Sequence, residues 1–199
     1  MRAAPRVAAA LVCAALALAG CDRLKSSKTP FKAIDVTGAA MGRELKLVDF
    51  NGTPRTLADF RGKVVVVTFG YPQCPDVCPT TLSDLASAKK KLGAEGSDLQ
   101  VLFVTIDPKR DRPELLKQYV PAFDPTFIGL YGDEAATKKA TGEFKVYVQE
   151  RAGKTAETYT VDHTAQTFAY DRQGRLRLVM GYGATPDAMA SDFRILLNS

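Results

Sequence analysis

Lys63–Phe69 contains the unbroken run Val64-Val65-Val66-Val67, and Val101–Ile106 is a second fully apolar stretch. Neither alternates with polar residues, so both predict strands buried on both faces, as at the centre of a parallel sheet. Between them, Leu82, Leu85 and Leu92 recur at helical spacing behind Pro79, a residue that the first turn of a helix accepts. Asp111-Arg112-Pro113 reads as another helix start, with Leu115, Leu116 and Tyr119 facing inward. Phe127–Tyr131 predicts a strand, and Asp133 opens a short helix ending near Gly142. Phe144, Val146 and Val148 alternate with polar neighbours, predicting a half-exposed strand, and the polar residues 150–161 predict a loop. Leu45–Phe50 and Thr53–Leu57 flank Asn51-Gly52, a pair suited to a type I′ hairpin turn. Thr164–Tyr170 and Arg175–Met180 form a second hairpin about a Gly174 turn. Thr185-Pro186 then caps a last helix carrying Met189, Phe193, Leu196 and Leu197 on one face.

The order is hairpin, βαβα, a further strand and helix, ββ, α. It predicts an α/β domain with a central mixed β-sheet flanked by helices, an N-terminal β-hairpin and an inserted hairpin. A thioredoxin-like fold fits this order.

The N-terminus has a different character. Arg2 and Arg6 precede an apolar run from Val7 to Gly20, shorter than the roughly 20 residues of a membrane span but suited to a signal-peptide core. It ends in Leu18-Ala19-Gly20-Cys21, which looks like a bacterial lipobox, with Cys21 the residue to be lipidated. An uncleaved N-terminal anchor is the alternative, and both readings put the folded part outside the cytoplasm. The expected organisation is a signal peptide over residues 1–20, lipidated Cys21 and a flexible tether over 21–37, and one domain over 38–199. The chain of 199 residues carries a formal charge of +5, and losing Arg2 and Arg6 lowers it by two. So mild an excess gives no reason to invoke nucleic acid.

Cysteine usage narrows the chemistry. Of four cysteines, Cys13 falls in the discarded segment and Cys21 is consumed by lipid. Cys74 and Cys78 remain, in Cys74-Pro75-Asp76-Val77-Cys78, and His163 is the single histidine. The pair sits between a buried strand and a helix start, where sites gather in open α/β sheets and a helix N-terminus favours thiolate. Two soft sulfurs and one imidazole suit a copper ion. The same thiols could instead cycle through a disulfide. A purely structural disulfide would close too short a loop to contribute much, and structural zinc usually takes four ligands. Asp162 could orient the His163 ring or meet a partner. Asp76, Arg110 and Asp111 are further candidates for a docking surface, or solvated and loop-bracing charges.

Phe69-Gly70-Tyr71 followed by Cys74-Pro75-Asp76-Val77-Cys78-Pro79-Thr80-Thr81-Leu82 resembles the signature of the Sco/SenC proteins. So do Leu57–Lys63, Asp107–Pro113 and Val161-Asp162-His163, in the expected order. The departure is Pro72-Gln73, where a histidine often precedes the first cysteine. The resemblance implies a thioredoxin-like domain at the outer, periplasmic face of the cytoplasmic membrane, held by lipidated Cys21. It implies Cu(I) or Cu(II) bound by Cys74, Cys78 and His163, and a role in assembling the binuclear copper centre of cytochrome c oxidase subunit II. Metallochaperone is the primary role expected. The alternative is a thiol–disulfide oxidoreductase that keeps the subunit II cysteines reduced through the redox-active pair Cys74 and Cys78. Other periplasmic copper chaperones or thiol reductases are further expected partners. A peroxidase on the same fold lacks a recognisable set of supporting groups.

Overall fold

The structure is a computed structural model that describes residues 29–155 and 158–199. The expected signal segment and Cys21 lie outside the described residues. Strands β1 (Ile34–Asp35), β2 (Lys46–Asp49), β3 (Pro54–Thr56), β4 (Val64–Gly70), β5 (Leu99–Thr105), β6 (Ile128–Tyr131), β9 (Gln166–Tyr170) and β10 (Leu176–Gly181) form one sheet in the order β1-β10-β9-β4-β5-β6-β2-β3. A separate hairpin pairs β7 (Val148–Arg151) with β8 (Thr160–His163). The helices are α1 (Val77–Lys91), α2 (Pro113–Tyr119), α3 (Glu134–Glu143) and α4 (Pro186–Leu197).

Strands β4, β5 and β6 run parallel, and β9 runs antiparallel to both β4 and β10. The order β10-β9-β4-β5, with β9 alone reversed, is the thioredoxin-like arrangement, completed by α1 after β4 and α4 after β10. The β2–β3 hairpin extends the sheet beyond β6.

The valine run of β4 explains its own lack of alternation. Val64 and Val66 pack with Leu82, Leu85 and Phe193 of α1 and α4. Val65, Val67 and Phe69 face the other side, with Phe144, Phe168 and Tyr170. Both faces of the central strand are core, so period-two polarity has no place there.

Several expectations need correction. Residues Phe31–Thr37 belong to the folded unit rather than to a tether ending at 37. The Asp192 carboxylate accepts the Lys32 and Ala33 amides at 2.8 Å each, and Ile34–Asp35 adds a strand to β10. The Asn51-Gly52 turn is not type I′, because Gly52 (φ 83°) has a positive φ and Asn51 does not. Instead Asp49 accepts the Asn51 and Thr53 amides through its carboxylate, and Gly52 closes a longer loop. The second expected hairpin, β9–β10, lies within the central sheet. The inserted hairpin is β7–β8, in a stretch that reads largely as loop. Phe144 ends α3 rather than opening a strand. Lys145 follows at φ 57°, and the Lys145 and Val146 amides bond back to Gly142 and Thr141, a Schellman closure without the usual glycine.

Candidate metal centre

The site is built where β4 stops. The chain turns at Tyr71, whose carbonyl accepts the Cys74 amide at 3.1 Å, and enters α1 with Asp76 as N-cap. Cys78 is therefore the second helical residue. Its amide, one of the N–H groups a helix start leaves without an internal partner, points at Cys74 Sγ, 3.4 Å away. That contact sets partial positive charge against the Cys74 sulfur. Cys74 is half-buried, and Cys78 is buried at 4% exposure. Gly70 makes room for the second sulfur, since a Cβ there would lie 2.7 Å from Cys78 Sγ and 3.0 Å from the Phe103 ring.

His163 arrives from the other side, as the last residue of β8. Its Nδ1 lies 3.2 Å from the Val161 carbonyl. A carbonyl only accepts, so Nδ1 carries the proton and the Nε2 lone pair is left over. Nε2 faces Cys78 Sγ at 3.9 Å. The Tyr71 ring meets the imidazole edge-on, with centroids 6.1 Å apart. Beside this pair is a void of about 10 Å³, lined in part by Cys78, His163, Thr81 and Phe103. Among the described residues, no three His, Cys, Asp or Glu side chains are gathered closely enough to hold a metal ion. The fold brings Cys78 and His163 together, with Cys74 beside them on the more exposed loop.

The His163 hairpin is fastened to the sheet by groups whose bracing roles, Arg110's apart, carry no obvious sequence signal. Tyr71 OH accepts the Val161 amide at 3.2 Å. The Arg110 guanidinium lies 3.5 Å from the Tyr159 ring centre and donates to the Tyr159 carbonyl at 2.9 Å. Arg110 Nε and the Tyr159 hydroxyl both donate to Asp107, at 2.5 and 2.6 Å. Lys109 pairs with Glu150 on β7 at 3.0 Å. Asp107–Arg110 thus buckles the hairpin to the end of β5.

Electrostatics divide the two cysteines. Burial, and after it the hydrogen bond with Cys74, push the Cys78 thiol well above its ordinary value. The expected preference of a helix N-terminus for thiolate does not prevail at this position, because desolvation outweighs it. Asp111 is buried rather than part of a docking surface. It takes a hydrogen bond from the Thr105 hydroxyl, while its Oδ1 has no hydrogen-bond partner among the described residues. Burial raises its carboxyl from 3.8 to about 7. Asp162 does not orient the ring. It pairs with Arg151 across the hairpin at 2.8 Å, both exposed, and the Val161 carbonyl holds the imidazole instead. Asp76 is exposed and makes no side-chain cap. Arg110 is a brace.

A parallel–antiparallel sheet with a Cys-x₃-Cys turn at its centre and a histidine hairpin folded over it defines a thioredoxin-like protein of the Sco type. The SCO1/SenC family profile matches residues 35–198, and the chain belongs to that family. It is 37% identical over 136 residues to an SCO2-like protein of Rickettsia prowazekii, covering 68% of this chain and 66% of that one. The chain thus spans just under two thirds of that relative's length. Among solved structures it is similar to Bradyrhizobium japonicum ScoI with copper bound (35% identity, TM-score 0.72, 80% of this chain and all of that one). Yeast Sco1 with copper bound is 30% identical, with a TM-score of 0.74 over 81% of this chain and 90% of the other.

Proposed function

We propose that the protein binds one copper ion through Cys74, Cys78 and His163 and hands it on during assembly of the binuclear copper centre of cytochrome c oxidase subunit II. We place it at the periplasmic face of the cytoplasmic membrane, anchored through lipidated Cys21. The observation that carries the reading is the 3.9 Å approach of His163 Nε2 to Cys78 Sγ, with Nδ1 already committed to Val161. An imidazole fixed in the tautomer that frees its outer nitrogen is arranged as a metal ligand. Membership of the SCO1/SenC family and the copper-bound relatives support copper as the ion.

The chain's own part in the reaction is to supply and release ligands. Cys74 turns inward from its loop to complete a two-sulfur, one-nitrogen set suited to copper. The Cys78 thiol gives up its proton as the ion arrives, so loading releases protons. A partner thiolate reaches the ion from the Cys74 side, where the loop is open. Cys74 is displaced first, because the other two ligands are held by α1 and β8.

Exposure also favours a second reading, reduction of partner disulfides. Cys74, the more exposed of the two, loses its proton and attacks a partner disulfide, forming a mixed disulfide and releasing one partner thiolate. Cys78 then attacks Cys74, closing the Cys74–Cys78 disulfide and releasing the second thiol. The pair loses two electrons and the partner gains them. The histidine has no part in it.

Anaerobic Cu(I) titration against a competing chelator separates the two. The expected result is one copper per chain, abolished in Cys74→Ser/Cys78→Ser. His163→Ala should weaken binding by at least about tenfold, since even groups outside a metal's ligand set are worth that much. Binding indifferent to His163 would leave thiol reduction as the function.

A further inference from the structure

The chain enters the folded unit at the same end of the sheet as the metal site. Strand β1 is antiparallel to β10 (Ile34 opposite Val179), β10 to β9 (Gly181 opposite Gln166), and β9 to β4 (Thr167 opposite Thr68). The N-terminal end of β1 and the C-terminal ends of β10 and β4 therefore lie together. Entry at β1 is three strand spacings from β4, about 14 Å across the sheet. The entry is also fixed in direction, because Asp192, buried at 1% exposure, holds the Lys32 and Ala33 amides.

Two large apolar side chains stand out of this same edge. Ile34 is 66% exposed and Tyr182, just past β10, is 54% exposed. They line one open hollow of about 300 Å³ together with Lys32, Ala184 and Ala188. Phe31 follows Cys21 by only ten positions, a stretch that fully extended spans at most about 35 Å. A tyrosine and a lysine are residue types that settle at a bilayer's headgroup level, and an aliphatic side chain beside them gains by leaving water.

We propose that the β1–β10 edge is a membrane-contacting surface. Ile34 and Tyr182 enter the headgroup region of the bilayer that carries the anchor, and the metal site opens toward that bilayer rather than away from it. This rests on the reading of Cys21 as the anchor point. It restricts clients to those that present their thiols close to the membrane.

The chain contains no tryptophan, so an introduced one is a unique reporter. The test takes the full, natively processed chain into phosphatidylcholine–phosphatidylglycerol vesicles with brominated acyl chains. Fluorescence quenching is compared for Tyr182→Trp, Ile34→Trp and Gln173→Trp, the last on the exposed β9–β10 turn at the opposite end of the sheet. Co-sedimentation with the vesicles reports the anchor independently. The expected result is co-sedimentation of all three, with quenching several-fold stronger for Tyr182→Trp and Ile34→Trp than for Gln173→Trp. Having two reporters on the edge covers the misfolding of either. Co-sedimentation with equal quenching at both ends, or with none at the edge, overturns the surface and leaves the anchor standing. Failure of the chain to co-sediment overturns the anchor, and the surface with it.

Discussion

Gly70 stands where any side chain would collide with the Cys78 sulfur and the Phe103 ring. Gly70→Ala should displace Cys78 and overpack the end of β4, at a cost of about 1–3 kcal/mol. Copper binding should weaken with it, which titration beside urea denaturation would show. Normal copper affinity in a destabilised variant would mean that Gly70 serves packing alone. Asp111 makes a separate prediction. Burial raises its carboxyl from 3.8 to about 7 in the folded chain. Between those values the folded state holds a proton that the unfolded state has lost, so this group makes stability fall as pH rises from about 4 to about 7. Asp111→Asn removes that slope. Relative to the parent, the variant should gain about 1–3 kcal/mol between pH 5 and pH 8. Parallel denaturation curves at the two pH values for both proteins would refute the assignment. Residue chemistry made Cys74, Cys78 and His163 legible from sequence as candidates, since their types and scarcity point to soft-metal or thiol chemistry. Tyr71 and Asp107 lie in stretches that carry the family resemblance, but their bracing roles were not legible and Tyr159 was not singled out at all, because these roles exist only through partners brought from distant segments.

The β7–β8 hairpin is the element on which the metal reading depends, and polar and cation–π contacts supplement the packing of Val161, Val148 and Tyr159 on the core. Tyr159→Phe removes the hydroxyl that donates to Asp107 but keeps the ring under Arg110. The fold should survive, with a loss of about 1–2 kcal/mol. Amide exchange should accelerate in β7 and β8 and leave β4 and β5 unchanged. Copper affinity should drop while the reactivity of Cys74 and Cys78 toward a small disulfide stays the same. Uniform acceleration across the sheet would contradict a local buckle. Sequence pattern revealed the buried central strands well and this hairpin poorly. Val64–Val67 announce a strand through burial on both faces. In β7 and β8 most side chains are exposed, and Glu150, Arg151 and Thr160 read as loop. The alternation at Phe144, Val146 and Val148 had another origin. Phe144 is a buried helix end, Lys145 turns the chain at positive φ, and only Val148 enters a strand. A lysine in a position usually filled by glycine hid the helix stop.

At the scale of the molecule, copper would join the loop after β4, the first turn of α1 and the end of β8. Cys78 and His163 stand 85 residues apart in sequence. An ion that binds only the folded arrangement stabilises the whole domain by mass action, about 4 kcal/mol when its free concentration is a thousandfold above Kd. For a domain of this size that corresponds to a rise in Tm of roughly 10 °C. Oxidation of the same cysteines is a weaker constraint, because a Cys74–Cys78 disulfide closes only a short loop. Scanning calorimetry of the apo, Cu(I)-loaded and oxidised chain should therefore rank the loaded form well above the other two. The gain should be reduced in His163→Ala and absent in Cys74→Ser/Cys78→Ser. A gain that survives undiminished in His163→Ala would mean that copper sits on the cysteine turn alone. The hairpin would then guard the site instead of completing it, and copper release would no longer require β8 to move.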